Sequence, residues 1–147
     1  MPLYNPAFGP GTGSNYLQSS FAIIAADSTT TSASFVAVGA GLSVTITTVA
    51  GSKLNIWFAA SPSNTANNGT EIDFQILIDS VATIGCGTGT KSNGVPQTCG
   101  INFVKTGLSA GSHTITVQWR TASGTAQIRP VTTIIESATL LVAEVSN

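Results

Sequence analysis

The side chains best suited to chemistry in this sequence are two cysteines, one histidine and a few carboxylates. Cys86 and Cys99 flank the loop GTGTKSNGVPQT. A ribbon-type zinc site needs four ligands in pairs, and the only histidine is His113, so neither a metal nor another cofactor is expected. We predict a Cys86–Cys99 disulfide, with two free thiols as the alternative. In the chain-entropy model, closing so short a loop would stabilise the fold by about 3 kcal/mol.

The histidine and the carboxylates do not form a recognisable catalytic pattern. His113 opens a predicted strand in SAGSHTITV, and no G-x-S-x-G sequence supplies a nucleophile for it. We expect a strand-edge histidine bonded to a backbone carbonyl. Glu71, Asp73 and Asp79 are predicted on one face of one strand, whereas a glycosidase needs two carboxylates facing each other across a cleft. We therefore interpret them as a solvent or interface side and expect no enzymatic activity.

The two tryptophans have different predicted roles. Trp119 is in register with Ile115 and Val117, which favours a place in the core. Trp57 is out of register with the apolar residues of its strand and faces the other side. Because tryptophan is enriched at the centres of interfaces, we predict Trp57 as an interface anchor, although an exposed tryptophan could also stack on sugars.

The segments that carry these residues alternate between apolar and polar side chains. This period of two, with turn sequences roughly every 10 residues, is typical of a sandwich or barrel. The segment 138–145 (ATLLVAEV) is instead apolar on both faces apart from Thr139 and Glu144. We expect it to be covered on both sides, with Leu141 and Val145 at a subunit interface. The predicted fold is an all-β, antiparallel jelly-roll sandwich of about eight strands over residues 16–147.

Residues 1–15 (MPLYNPAFGPGTGSN) form a predicted extended arm in front of this domain. Pro2, Pro6 and Pro10 fix φ and cannot donate to a strand ladder. Tyr4 and Phe8 have the spacing of two hydrophobic anchors on such an arm. The alternative is a frayed terminus, as most domain ends are.

The composition favours association with other protein surfaces. Only 7% of the residues are charged, 42% are hydrophobic, and the formal net charge is −1. A nearly uncharged surface promotes self-association. The five basic residues are scattered, which disfavours nucleic-acid binding, and no apolar run reaches the length of a membrane helix. A disulfide indicates an exterior location, and release of a virus by lysis would place the chain there without the signal peptide that is not visible at its start.

The segment 108–145 carries a family resemblance. The sequence LSAGSHTITVQWR, a short hairpin and then SATLLVAEV resemble the C-terminal half of small jelly-roll virion proteins of tailed bacteriophages. Those proteins are similar in fold to C1q and tumour-necrosis-factor domains, which form trimers. The resemblance implies a structural role as a head decoration (cement) protein or a fibre protein, with no catalytic residues to transfer.

Three hypotheses for the function follow. The first is a virion decoration or fibre protein that forms a symmetric oligomer, with a trimer expected, and binds a capsid or tail structural protein. The second is an adhesin module that binds host-surface glycans through its loops and Trp57. The third is a filament subunit whose N-terminal arm adds a strand to the sheet of a neighbour. Low charge, the arm and the lack of a visible signal peptide favour the first hypothesis over the second, and the third stays open because the arm serves both. The expected location is a virion surface or another extracellular assembly.

Overall fold

The computed structural model describes residues 16–39, 42–65, 70–89, 95–130 and 137–146. Within these ranges the chain forms strands and connecting turns but no helix, and thus no helix that could span a membrane. The strands are β1 Tyr16–Ile23, β2 Ser28–Thr30, β3 Val36–Ala37, β4 Ser43–Thr48, β5 Lys53–Ala60, β6 Ser63–Asn64, β7 Glu71–Ile78, β8 Val81–Gly89, β9 Cys99–Lys105, β10 Gly111–Thr121, β11 Ala126–Ile128 and β12 Ala138–Val145.

Two antiparallel sheets form the body of the protein. The first sheet has the strand order β1-β12-β5-β9. The second sheet has the order β3-β10-β7-β8, with β4 also pairing with β10. Long strands that follow one another along the chain cross repeatedly between the sheets, so that neighbours such as β12 and β5 come from distant parts of the sequence. This order is that of a jelly roll, which confirms the predicted fold class.

Short strands extend this framework beyond the eight long strands expected. The strands β2, β11 and β6 form a small third sheet, and β3 lengthens the edge of the second. They lie in segments rich in serine, threonine and alanine, where period-two alternation is weak. The predicted arm, residues 1–15, lies outside the described residues, and its separation from the domain at 16–147 stays a prediction.

The core lies between the two sheets and is formed by alternate residues of each long strand. On β5, the side chains of Leu54, Ile56 and Phe58 are buried, as the alternation predicts. Aromatic rings connect the layers, because the ring centroids of Phe58 and Phe74 are 5.1 Å apart and those of Phe74 and Trp119 are 6.2 Å apart. Trp119 is completely buried, so its predicted place in the core is correct.

The hairpin between β7 and β8 turns without glycine. Asp79 has φ 50° and Ser80 has φ 69°, the two positive values of a type I′ turn. Aspartate tolerates this conformation because its short polar side chain can bond locally. Asp79 is held there by two hydrogen bonds with β10: its backbone N–H donates to the Thr114 carbonyl at 2.9 Å, and its Oδ1 accepts from the Thr114 N–H at 2.9 Å.

Candidate interaction surface

The outward side chains of the first sheet form a surface that we call the apolar face. Strand register arranges them in rows, because Phe21 of β1 pairs with Leu141 of β12, Leu141 pairs with Trp57 of β5, and Trp57 pairs with Asn102 of β9. The two flanking rows are Ile23, Thr139, Ala59 and Gly100 on one side, and Ser19, Ala143, Asn55 and Val104 on the other.

This face exposes large hydrophobic side chains to solvent. Phe21 is 69% exposed and Leu141 is 36% exposed; Tyr16, Leu17, Ile23 and Val104 are also exposed. Among the described outward residues of these four strands, only Lys53 carries a charge, and it lies at one end of the face. Large contiguous apolar patches on a soluble protein mark interaction sites.

Trp57 and Leu141 stand together between two shallow depressions. The first depression is bordered by Tyr16, Leu17, Ser19 and Ala143. The second is bordered by Ala59, Gly100, Asn102 and Thr139. The face therefore has a central ridge, a protruding phenylalanine on its β1 side and a recess over Ala59 and Gly100 on its β9 side.

The structure brings some of the predicted interface residues together. Trp57 and Leu141 are cross-strand partners at the centre of the apolar face, and Val145 lies at its end, opposite Lys53. Tyr4 and Phe8 lie outside the described residues. The sequence interpretation did not select Phe21, although the alternation of Phe21 and Ile23 with Ala22 is a period-two signal. The signal is weak because Phe21, Ala22 and Ile23 are all apolar, so their pattern does not show which of them face the core.

Strand β12 turns its only carboxylate inward. Glu144, predicted to be a polar interruption of a two-faced strand, is 1% exposed and faces the core side. Its Oε1 accepts from the Ser52 hydroxyl at 2.6 Å and from the Val49 N–H at 2.7 Å, and its Oε2 accepts from the Gln18 amide at 2.7 Å. The Gln18 amide also donates to the Thr47 carbonyl, which connects β1 to β4 of the other sheet.

The charge of Glu144 is stabilised where it lies. Burial by itself would raise the pKa of Glu144, but hydrogen bonds from Ser52, Gln18 and Val49 outweigh burial and hold the pKa below its ordinary value. A carboxylate that accepts several hydrogen bonds can stay ionised in a protein interior. Glu144 is therefore a structural group that joins the two sheets.

The outer surface of the second sheet, which we call the polar face, is different in character. Hydroxyl groups pair across its strands, with Ser43 Oγ 3.1 Å from Thr116 Oγ1. The Gln75 amide donates to the Gln118 carbonyl oxygen at 2.7 Å. Arg120 Nε donates to Asp73 Oδ2 at 2.8 Å. These side chains satisfy one another, so the polar face can remain in water.

The three carboxylates predicted on one strand face do not stay together. Glu71 and Asp73 lie on the outward side of β7, as expected, but Asp79 lies beyond the strand in the β7–β8 turn. The prediction was wrong for Asp79 because the strand ends at Ile78 and the positive φ of Asp79 redirects its side chain. Asp79 instead contacts His113, with Oδ2 2.6 Å from Nδ1.

His113 has acceptors on both sides of its ring. Its Nδ1 faces the Asp79 carboxylate, and its Nε2 lies 2.9 Å from the Ser109 carbonyl oxygen, the type of backbone bond predicted for it. Since both partners accept hydrogen bonds when Asp79 is ionised, this arrangement favours the imidazolium form of His113, in which both ring nitrogens carry hydrogen. The Asp79 bond, followed by the Ser109 bond, raises the pKa of His113, and the His113 and Thr114 bonds lower the pKa of Asp79.

The predicted disulfide is present and connects the two sheets. Cys86 lies on β8 of the second sheet and Cys99 on β9 of the first, with their Cα atoms 6.7 Å apart. Across the described ranges, no group of three or more His, Cys, Asp or Glu side chains is arranged to hold a metal ion.

Comparisons with known proteins find weak structural matches and no match in sequence. No protein-family model matches the chain, and no curated protein is similar to it. PorU from Porphyromonas gingivalis aligns with a TM-score of 0.48 at 8% identity, over 95% of this chain and 14% of PorU. The chain of T=1 particles derived from infectious bursal virus gives a TM-score of 0.48 at 13% identity, over 100% of this chain and 41% of the viral chain.

A smaller domain is similar over nearly its whole length. A family 35 carbohydrate-binding module from an environmental isolate aligns at 17% identity with a TM-score of 0.37, covering 93% of this chain and 96% of the module. Likenesses of this size assign neither a family nor a function.

Proposed function

We propose that this protein is a structural component of a virion surface or a similar extracellular particle, attached by burial of its apolar face. The observation that supports this role is the contrast between the two outer faces. The apolar face is centred on Trp57 and Leu141 and carries one charge, at its end, whereas the polar face carries paired hydroxyls, paired amides and an ion pair. An apolar face is stabilised by contact with another protein surface.

The size of the face is sufficient for attachment. Four strands at about 4.8 Å spacing and about eight residues at 3.3 Å each give an area of roughly 500 Å² in projection. At about 25 cal/mol per Å² of apolar surface, burial contributes on the order of 10 kcal/mol before the entropic cost of association. This is enough to hold a subunit on a particle when several copies act together.

The remaining features agree with an exterior, durable assembly. The disulfide between Cys86 and Cys99 suits an oxidising exterior, and a net charge of −1 removes electrostatic repulsion between neighbouring copies. Within this proposal the resemblance to phage virion proteins favours a decoration or fibre role, with a capsid or tail protein and other copies of this chain as partners.

A reattachment experiment tests the role. Particles purified from the source of the chain are stripped of it and incubated with recombinant protein, and occupancy is measured by quantitative mass spectrometry. Leu141→Asp should lower occupancy at least tenfold because it places a charge at the centre of the apolar face. Thr116→Asp, on the polar face, is the matched control and should bind like wild type. Equal binding of the two variants, or particles that never contain the chain, would contradict the proposal.

The N-terminal arm has its own test. Pro2, Pro6 and Pro10 reduce the entropy that a docking segment must lose, and Tyr4 and Phe8 could each bury a ring against a neighbour. Deleting residues 2–13 should leave the melting temperature of the body nearly unchanged but release the protein from its particle. If the truncated protein occupies the particles as fully as wild type does, the arm does not attach the protein to them. Loss of filament growth, with particle binding retained, would favour the filament hypothesis.

Glycan binding is the second candidate, and the recess beside Trp57 is the observation that favours it. An indole next to the Asn102 amide and the Thr139 hydroxyl offers both a stacking surface and hydrogen-bonding groups for a sugar. Glycan-array binding that is lost in Asn102→Ala as well as in Trp57→Ala would support this role. If Trp57→Ala weakens particle attachment and Asn102→Ala leaves it unchanged, the result would count against glycan binding as the role of this recess.

A further inference from the structure

We propose that β1 is an exchangeable strand, which leaves its own body and pairs with β12 of a second copy of this chain. The edge of β12 that β1 occupies, which we call the β1 seat, is visible in the structure together with the strand that fits it. This link between copies rests on the proposed function for its role on a particle, although strand exchange itself can be measured without one.

β1 contributes little to the core of its own body. None of its eight residues is buried, whereas each of the other long strands buries at least one side chain. Its inward positions hold Gln18, Ser20 and Ala22, which are polar or small, and its large side chains, such as Phe21, are exposed on the outer side. Hydrophobic burial, the main force that holds a strand in place, is therefore weak for β1.

The opposite edge of the same sheet is held much more firmly. β9 buries Cys99 and Ile101 in the core, and the disulfide of Cys99 with Cys86 connects it covalently to the second sheet. β1 contains no cysteine and is joined to the body by its ladder with β12 and by the hydrogen bonds of Gln18. Elements held by few buried contacts open locally at a lower free energy than the whole body unfolds.

The residues that follow β1 form a hinge. Ile24 is buried, and its N–H donates to the Ala138 carbonyl at the start of β12 at 3.2 Å, so Ile24 anchors the end of the exchanged segment 16–24. Residues 25–27 (AAD) are exposed, belong to no strand and lead into β2 of the small third sheet. Rotation within these three residues directs the segment away from its own body while β2 stays in place.

Gln18 makes the β1 seat selective for a copy of β1. It pairs with Glu144 in the ladder, and its amide donates to the buried Glu144 carboxylate at 2.7 Å and to the Thr47 carbonyl oxygen. A strand without a donor at this position would leave one oxygen of a buried, ionised carboxylate without this partner, which is costly. Addition of an unrelated strand is thereby disfavoured, whereas β1 of a second copy supplies the same donor.

Exchange remakes the contacts that opening breaks. Gln18 of one copy then bonds to Glu144 of the other, and Ile24 enters the other core, so the two states differ only in the hinge and in the proximity of the copies. In dilute solution the chain's own β1 is favoured because it is tethered beside its seat, but copies crowded together on a particle compete with it. The apolar face is complete in either state, because a neighbour's Phe21 then lies beside Leu141.

A mixed-cysteine experiment on the full chain tests the exchange. Ile23 and Thr139 pair across β1 and β12, and the two native cysteines are bonded to each other. Ile23→Cys chains are mixed with Thr139→Cys chains at high concentration and treated with a short bis-maleimide. Exchanged copies place the two new cysteines side by side, so crosslinked dimers should accumulate. Thr45→Cys mixed with Thr114→Cys, an outward pair on β4 and β10, is the matched control and should give at least tenfold less dimer.

Two further arms separate strand exchange from other contacts between copies. The dimer yield should be retained in a Leu141→Asp background, which places a charge between apolar faces but keeps the β1–β12 ladder. It should also be retained after deletion of residues 2–13. Equal yields from the mixture and its control, or loss of the dimer in Leu141→Asp, would overturn the inference. Loss of the dimer only on the deletion would assign the link to the arm and would overturn it as well.

Hydrogen exchange of the wild-type chain tests the opening without any variant. β9 is the matched strand, since it is the other edge of the same sheet. The protected amides of residues 16–23 should exchange at least tenfold faster than those of residues 99–105, because β1 opens without unfolding of the body. Peptide-resolved mass spectrometry measures both. Equal protection of the two edges would overturn the inference, because β1 would then leave only when the whole protein unfolds.

The two proposals can fail separately. Mixed-cysteine dimers from a chain that no particle contains would remove the structural role and leave the strand exchange intact. Absence of these dimers, together with loss of particle occupancy in Leu141→Asp, would remove the exchange and leave the structural role.

Discussion

The two sheets of this protein differ in where their carboxylates lie relative to the core. The first sheet turns its described carboxylate, Glu144, into the interior and presents an outer surface with almost no charge. The second sheet keeps its interior apolar along β7 and places Glu71 and Asp73 outside. The outer face of the second sheet therefore presents polar and charged side chains, and the outer face of the first sheet presents mainly apolar ones. Under the proposed function, the apolar face is buried in the assembly and the polar face remains in water.

The largest expected effect on stability is the loss caused by replacing the buried Glu144, measured against replacement of the exposed Glu71. Glu144→Leu leaves donors from Ser52, Val49 and Gln18 without an acceptor in the interior and should lower the free energy of unfolding by about 3–4 kcal/mol. Glu71→Leu, on the polar face, should change it by only about 0.5 kcal/mol. Urea denaturation of both variants measures the difference, and similar losses would mean that Glu144 is not a structural link between the sheets.

The second test breaks the covalent connection between the sheets. The double variant Cys86→Ala/Cys99→Ala should lose about 3 kcal/mol of unfolding free energy, as expected for a short closed loop. Wild type under reducing conditions is the matched control and should unfold at the same urea concentration as the variant. A loss below about 1 kcal/mol would show that hydrophobic packing between the sheets makes the bond redundant.

The third test uses pH at the edge of the second sheet. Since the pKa of His113 is raised, its stabilising contribution is complete below about pH 6.5 and is lost as the pH rises through the folded value. Since the pKa of Asp79 is lowered, its contribution is present above about pH 3.9 and is lost as the pH falls through the folded value. The pair therefore stabilises the fold most at mildly acidic pH.

His113→Gln should lower the unfolding free energy by about 1 kcal/mol at pH 6, because exposure of Asp79 weakens the ion pair. The variant should also lose the decline of stability toward pH 8. Asp79→Asn, which keeps a residue that tolerates positive φ, should give the same flattened profile. Urea unfolding at a series of pH values measures both, and an unchanged slope in either variant would contradict a charged His113.

The smallest effect is expected for the ion pair of the polar face. Arg120 contacts Asp73 at 2.8 Å and lies over the Phe35 ring with its guanidinium carbon 4.7 Å from the ring centroid. A double-mutant cycle of Arg120→Ala and Asp73→Ala should give a coupling of about 0.5 kcal/mol that fades in 1 M salt. A coupling above about 2 kcal/mol would mean that this face is less exposed to water than its composition implies.

Much of the fold could be predicted because alternation along a strand is a local property. The inward residues of β5, the buried Trp119 and the outward position of Trp57 all follow from a period of two, which any half-buried strand must obey. The disulfide followed from the presence of only two cysteines around a short loop. Where both sets of alternate residues are of similar polarity, as in β1, the pattern could not distinguish inside from outside.

The sequence by itself determined that the chain forms an antiparallel sandwich, that Trp57 faces away from the core and that charge is scarce. Only the tertiary structure decided that Phe21, Leu141, Trp57 and Asn102 share one row, that Glu144 is buried among three donors and that Asp79 meets His113. These facts depend on which distant strands pair and in what register. Register is set by the packing of the whole core, because a shift of one residue would turn every inward side chain outward.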